Sequence, residues 1–194
     1  VAELKSWGYT HILMAVGAWK AGRLDIPGKV LPVISWLKDL KAGKTGELGH
    51  VAVVGGGNTA MDAARAALRA GAKSSTLVYR RTKKYMPADA EELELAVEDG
   101  VRFLELVSPV KQENGRLTCE KMTLGEPDAS GRRRPVEVPD SQFVLDVDTV
   151  IMALGTSPNP LIRSTTPGLD TNRKGCLIVD ENEMTTREGV FAGG

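Results

Sequence analysis

One segment of this 194-residue chain constrains its fold more than any other: Val51-Ala52-Val53-Val54-Gly55-Gly56-Gly57-Asn58-Thr59-Ala60-Met61-Asp62. The unbroken apolar run at 50–54 reads as a strand buried on both faces of a parallel sheet. The pattern after it is G-x-G-x-x-A, which is weak alone; standing between such a strand and an alanine-rich helix, it gains meaning. Gly55 permits the tight strand-to-helix turn that passes through Gly56, and Gly57 lets the backbone lie close to a pyrophosphate. Ala60 is small enough for the helix to pack closely on the strand. Free N–H groups and the positive end of the helix attract phosphate, and the side chains of Asn58 and Thr59 can add hydrogen bonds. The competing reading is a glycine turn that only packs.

The rest of the chain alternates around this unit. Residues 1–8 read as the end of a helix stopped by Gly8, and residues 10–16 as a buried strand running into Gly17. After a loop with Pro27 and Pro32, Ser35 is placed to cap a helix to Lys41 with Trp36, Leu37 and Leu40 inward. A helix at 58–70 is closed by Gly71, and a strand follows at 75–80. A second amphipathic helix spans 89–99, with Ala90, Leu93, Ala96 and Val97 at helical spacing, and residues 101–106 form another strand. Strand and helix in this alternation imply right-handed crossovers and a Rossmann-like, doubly wound parallel sheet of the α/β class. From 107 to 147 short strand-like pieces are separated by turns at 113–115, 128–131 and 139–140, which predicts an antiparallel β-meander. Residues 147–154 return as a buried strand, and two short strands are expected between 178 and 192. The chain begins inside a helix and ends on Gly193-Gly194, so it reads as a segment of a longer protein.

Nucleotide choice is read at the end of the second strand, where an acid suits a ribose hydroxyl and arginine a 2′-phosphate. The residues there are Tyr79-Arg80-Arg81-Thr82-Lys83-Lys84, with no acid. Arg80 and Arg81 can grip a phosphate bidentately, against the plainer reading of a solvated basic loop. Arg132-Arg133-Arg134 reads as a solvated turn tip. Lys+Arg 25 against Asp+Glu 25 gives a net charge of +0, which argues against a protein that coats nucleic acid or anionic membrane. Glu91, Glu92, Glu94, Glu98 and Asp99 read as a charged helix face. Cys119 and Cys176 form no C-x-x-C pair, and with two histidines, His11 and His50, neither a dithiol relay nor a metal site is expected. No residue stands out as acid, base or nucleophile, so no catalytic residue is assigned. No apolar run reaches the roughly 18 residues of a membrane span, and the default location is the cytoplasm.

Several separated segments together resemble the pyridine-nucleotide-disulphide-oxidoreductase-like flavoproteins of the glutamate synthase small (β) subunit group. They are Gly8-Tyr9-Thr10, Ala15-Val16-Gly17-Ala18, the glycine segment from Gly55 to Asp62, Tyr79-Arg80-Arg81, Met86-Pro87-Ala88 with Glu91-Glu92, and Gly100-Val101 with Phe103. Ala153-Leu154-Gly155, Pro158-Asn159 and Gly189-Val190-Phe191-Ala192-Gly193-Gly194 complete the set. Similar segments occur in dihydropyrimidine dehydrogenase and in flavoprotein subunits of selenate-reductase type.

The resemblance implies an NAD(P)H-binding domain inserted into an FAD-binding domain. Residues 1–45 would then be the edge of the FAD domain and a linker helix, 46–155 the NAD(P)H domain, and 156–194 the return to the FAD domain. Gly55, Gly56, Gly57, Asn58, Thr59 and Ala60 would hold the pyrophosphate, and Arg80 and Arg81 the 2′-phosphate. Gly155 would sit on the nicotinamide side, while Gly193 and Gly194 lead towards the flavin. It implies NADPH in preference to NADH, and FAD in the full-length protein but retained poorly by this segment. Iron–sulfur clusters and partner domains or subunits of a redox complex would lie elsewhere. The expected function is the NADPH-binding portion of a multidomain flavoprotein oxidoreductase, inactive by itself. The alternative is a non-catalytic module that keeps the nucleotide fold and docks a partner subunit.

Overall fold

A computed structural model describes residues 1–129 and 131–193; Gly194, one of the candidate site residues, lies outside the described residues. The chain opens with α1 (Ala2–Ser6), β1 (Ile12–Met14), β2 (Lys20–Ala21), β3 (Val30–Pro32) and α2 (Val33–Lys41). The central run is β4 (His50–Val54), α3 (Asn58–Arg69), β5 (Ser74–Tyr79), α4 (Ala90–Glu98) and β6 (Arg102–Glu105), with one 3-10 turn at Lys83–Tyr85. Then come β7 (Val107–Glu113), β8 (Arg116–Pro127), β9 (Arg133–Glu137), β10 (Phe143–Asp146) and β11 (Thr149–Met152). The tail holds β12 (Thr156–Ser157), α5 (Pro160–Thr165) and β13 (Val190–Ala192). Two units result, Val1–Lys20 with Thr156–Gly194 and Ala21–Gly155. The helix expected as a linker, α2, lies inside the second of these.

In the larger unit, five parallel strands run in the order β3-β11-β4-β5-β6. Successive side chains of a strand point to opposite faces, so β4 divides its apolar residues between two cores. Val51 and Val53 pack with Leu77 and Ile151 against Trp36 of α2, the alanines and Met61 of α3, and Leu93 and Ala96 of α4. Ala52 and Val54 pack with Val78, Val150 and Met152 against Val107, Leu117, Cys119 and Val147. Helices cover one face and the antiparallel meander covers the other. In the meander, β8 is the central strand, pairing with β7, β9 and β10. α3 lies close to the sheet because its inward face is mostly alanine: Ala60, Ala63, Ala64 and Ala67 are all fully buried.

The smaller unit is built on a two-stranded parallel sheet, β1 with β13, in which Ile12 faces Val190. Asn159 caps α5, its Oδ1 accepting from the Leu161 N–H at 2.9 Å, and Pro160 takes the first turn, where a missing N–H costs nothing. Thr185 Oγ1 donates to the Val190 carbonyl at 2.8 Å and fixes the loop before β13.

Several expectations need correction. The strand at 10–16 is buried on one face only: Ile12 is buried, while Leu13 is 69% exposed and Val16 is exposed too. α2 begins at Val33 with Pro32, in extended backbone, as its N-cap residue, so Ser35 lies inside the helix rather than capping it. The proline-containing loop thus holds a strand, tolerated because β3 is at the sheet edge. Val97 is exposed although it stands at helical spacing. Between 178 and 192 there is one strand, β13, with isolated bridges such as Val179 to Thr185 in place of a second. Among the described residues, no helix is long and apolar enough to cross a membrane.

α3 and α4 are tied by Asp99. Its Oδ2 accepts from Arg65 Nε at 2.7 Å and from Arg69 Nη2 at 3.1 Å, and Glu92 lies 3.5 Å from Arg65 Nη1. The hydrogen bond from Arg65 holds the Asp99 carboxyl below the usual carboxylate range. A depressed folded pKa contributes stability above the unfolded value and loses it as pH falls through the folded one. Asp99→Asn should therefore lower the melting temperature at pH 7, and the gap to the unchanged protein should close as the carboxylate is protonated. A gap that stays constant in acid would show that the ion pair contributes nothing.

Candidate functional site: the glycine turn at the carboxyl ends of β4 and β5

β4 is flanked by β11 on one side and β5 on the other, and α3 carries the chain from β4 towards β5. The strand order therefore reverses beside β4, and in open α/β sheets the ligand crevice lies outside the carboxyl ends of the strands at that point. Residues 55–57 stand there. Gly55 has φ +154°, and a side chain on it would collide with the Ala153 carbonyl oxygen. A side chain on Gly56 would collide with the ring of Tyr79. Gly57 differs: it has φ −99° and ψ 170°, open to any L residue, and its nearest atom is Pro87 Cγ at 3.9 Å. Packing thus accounts for two of the three glycines. The third faces open space among the described residues, so packing leaves it unexplained.

Gly57 is the N-cap residue of α3, and no side chain caps the helix. Its carbonyl accepts from Ala60 N–H at 2.8 Å and Met61 N–H at 3.4 Å. Among the described residues, none accepts from the N–H groups of Gly57, Asn58 or Thr59. These free donors and the positive helix end suit an anion. Thr59 is exposed beside them, and Ala60 is fully buried against the sheet. The side chain of Asn58 is engaged elsewhere. It donates through Nδ2 to Asp89 Oδ2 at 3.0 Å and accepts at Oδ1 from the Asp89 N–H at 3.0 Å. Since Asp89 is the N-cap residue of α4, and the Ala88 N–H donates to Gly56 O at 3.0 Å, residues 86–89 are moored along the glycine turn.

The basic residues leave the end of β5, next to the glycine turn. Arg80 is exposed, and among the described residues nothing hydrogen-bonds its guanidinium. Arg81 is half-buried, and its Nε donates to the Arg133 carbonyl at 3.0 Å. The structure thus separates the two arginines, one directed to β9 and one unengaged. Tyr79 Oη donates to the Tyr85 carbonyl at 2.7 Å, and Arg132 Nη2 donates to that same oxygen at 3.0 Å. Sequence spacing put Tyr79 at the end of this strand but carried no sign that its ring lies against Gly56, nor that Asp89 and Arg132 reach this place. Gly155 follows β11 at the same edge of the sheet, with φ +82°, open space around its α-carbon, and its carbonyl accepting from Gly22 N–H at 2.8 Å.

Gly193 lies in the other unit, where it lines a cavity of about 460 Å³ with Val16, Gly17, Ala18, Asn159 and Arg163. Cys176 is exposed and also lines that cavity. Cys119 is buried in the meander core, and burial pushes its thiol up to about 12, so it is un-ionised at neutral pH.

A glycine turn at the switch point of a parallel sheet, opening onto free helix N–H groups, defines the dinucleotide-binding α/β class. Within that class the chain belongs to the pyridine nucleotide-disulphide oxidoreductase family, whose sequence pattern matches residues 2–194. It is 42% identical to the NADPH-Fe(3+) oxidoreductase subunit beta of Geobacter sulfurreducens, across 99% of this chain and 34% of that protein. It is 34% identical to the glutamate synthase (NADPH) small chain of Azospirillum brasilense, across 96% of this chain and 43% of that one. The chain therefore spans a third to less than half of these relatives' length. In fold it is similar to FprA of Mycobacterium tuberculosis in complex with NADPH, with a TM-score of 0.75 at 18% identity, covering 100% of this chain and 59% of that one.

The three glycines should respond differently to alanine. Gly55→Ala must move backbone and Gly56→Ala a buried ring, each at a cost of about 1–3 kcal/mol or more. Gly57→Ala meets no obstacle and should cost about 1 kcal/mol at most. Urea denaturation measures all three, and equal losses would contradict the assignment of Gly57 to an external ligand.

Proposed function

We propose that this chain is the NADPH-binding portion of a larger flavoprotein oxidoreductase. The observation that carries the reading is the glycine turn, in which Gly57 is unexplained by packing while, among the described residues, its own N–H and those of Asn58 and Thr59 lack acceptors. That cradle fits a pyrophosphate: Gly57, Asn58 and Thr59 would bind it through main-chain N–H groups, and Thr59 through its hydroxyl as well. Asn58 acts through its main chain and through Asp89, because its amide is already engaged. Arg80, exposed at the end of β5, would read the 2′-phosphate, and Arg81 would serve mainly to hold β9. Gly155, open at the same sheet edge, leaves room on the nicotinamide side.

In this reading, residues 21–155 are the nucleotide domain and residues 1–20 with 156–194 are part of an FAD-binding domain. The cavity of about 460 Å³ lined by Gly17, Ala18 and Gly193 has the size of a ligand site and would take part of the flavin. Bound nucleotide supplies a hydride for the flavin, and this chain's contribution is binding and orientation. Iron–sulfur centres and the terminal acceptor would belong to other domains or subunits. Trp7, Tyr9, Leu13 and Trp19 each present exposed apolar surface that further chain would cover. The same surface suits the second reading, a module that retains the fold and docks a partner subunit without binding nucleotide.

Calorimetric titration separates the two. The unchanged chain should bind NADPH more tightly than NADH. Arg80→Ala should lose about 1.5–3 kcal/mol of NADPH binding, roughly tenfold or more, with NADH little affected. Gly57→Ala should weaken both nucleotides. Folded protein that binds neither at millimolar concentration would favour the docking module, and equal affinities would remove the assignment of Arg80.

A further inference from the structure

The turn between β8 and β9 is far from β5 in sequence, yet it is fastened to the loop after β5 by two hydrogen bonds of opposite direction. Arg81 Nε donates to the Arg133 carbonyl at 3.0 Å, and Arg132 Nη2 donates to the Tyr85 carbonyl at 3.0 Å. The Tyr85 oxygen also accepts from Tyr79 Oη at 2.7 Å, and Tyr79 is the last residue of β5. Two donors on one oxygen are only a few ångströms apart, so the Arg132 guanidinium stands beside the hydroxyl of Tyr79, the side chain that β5 presents at its carboxyl end. The Tyr79 ring in turn lies against Gly56, where a side chain would strike it. A short chain of contacts thus runs from Arg132 through Tyr85 and Tyr79 to the glycine turn.

The base of Arg132 is held as well as its tip. Its N–H donates to Asp128 Oδ1 at 3.1 Å, its carbonyl accepts from the Asp128 N–H at 2.9 Å, and the Gly131 N–H donates to Asp128 O at 2.8 Å. A guanidinium carries five N–H donors in a rigid fork, and one suffices for the Tyr85 carbonyl. The residue is exposed, and among the described residues its remaining guanidinium donors have no acceptor. An arginine held at both ends binds an anion with less loss of side-chain freedom than a free one.

We propose that Arg132 is a further specificity-determining residue, which reads the 2′-phosphate of NADPH together with Arg80. This rests on the nucleotide site proposed above and adds to it a contribution from the meander. The nucleotide's phosphate would then be held from two layers of the fold, by Arg80 from the parallel sheet and by Arg132 from the antiparallel one.

The test is calorimetric titration of NADPH and NADH into the full chain, the Arg132→Ala and Arg132→Lys variants, and Arg80→Ala. Arg132 is exposed, so its replacement should leave the melting temperature nearly unchanged. In Arg132→Ala, NADPH affinity should fall about tenfold while NADH affinity stays within about twofold, as expected for loss of a charged hydrogen bond to one phosphate. Arg132→Lys should recover part of the loss, since it keeps the charge without the fork. Equal weakening of both nucleotides would make Arg132 a brace for the turn and overturn the proposal. Unchanged NADPH binding in Arg132→Ala, with the preference lost in Arg80→Ala, would overturn it and leave the nucleotide site standing. An unchanged chain that binds neither nucleotide would overturn both.

Discussion

The structure depends on a place where there is no room for a β-carbon. Gly55 passes beneath the Ala153 carbonyl and Gly56 lies under the Tyr79 ring, so β4 turns into α3 between its two neighbours, β11 and β5. A side chain at either position would collide with these groups, so the turn as it stands requires glycine at both. Because the turn stays low, α3 can lay its alanine face directly on β4 and β5. Its free N–H groups then come to rest at the switch point, where they can serve a ligand. The same short turn brings residues 86–89 alongside through Ala88 and Asp89. Packing and binding geometry thus have one origin.

Polar contacts then arrange what surrounds the turn. Asn58 and Asp89 satisfy each other reciprocally, joining the starts of α3 and α4, while Asp99 ties their other ends through Arg65 and Arg69. The acidic face of α4 is accordingly not a simple solvated surface, since Glu92 and Asp99 meet α3. The basic residues are sorted in the same way. Arg81 is directed into a hydrogen bond with β9, Lys83 pairs with Glu94 at 3.3 Å, and Arg80 is left unengaged among the described residues.

Much of the central sheet was legible because its signals are local. The run at 50–54 coincides with β4, and the alanine pattern, with its closing Gly71, marks α3 to within a residue. The meander was legible from its turns. Less legible were elements held by their neighbours. β3 is three residues long, ends on a proline, and exists because β11 pairs with it. α5 is six residues, started by Asn159 and Pro160, with too few turns to show a period. β1 read as a buried strand because its residues are apolar, yet one face of it is exposed among the described residues. In the site, the glycines, Thr59, Ala60 and Arg80 were legible by position, and the engagement of Asn58 by Asp89 was not. A hydrogen bond between residues 31 apart leaves no trace in spacing.

By itself, the sequence determined the parallel sheet, the glycine turn and the helix that follows it, because apolar periodicity and the absence of side chains at a tight turn act over a few residues. It also determined that the end of β5 is basic, since no acid occurs there. Only the tertiary structure decided which of the glycines answer to packing, because the colliding groups, Ala153 and Tyr79, are distant in the chain. Only it decided that the meander, rather than a second layer of helices, covers the other face, and that the tip of that meander brings Arg132 to the loop after β5. These are outcomes of strand order and of hydrogen bonds between segments, and no local pattern encodes where two segments will meet.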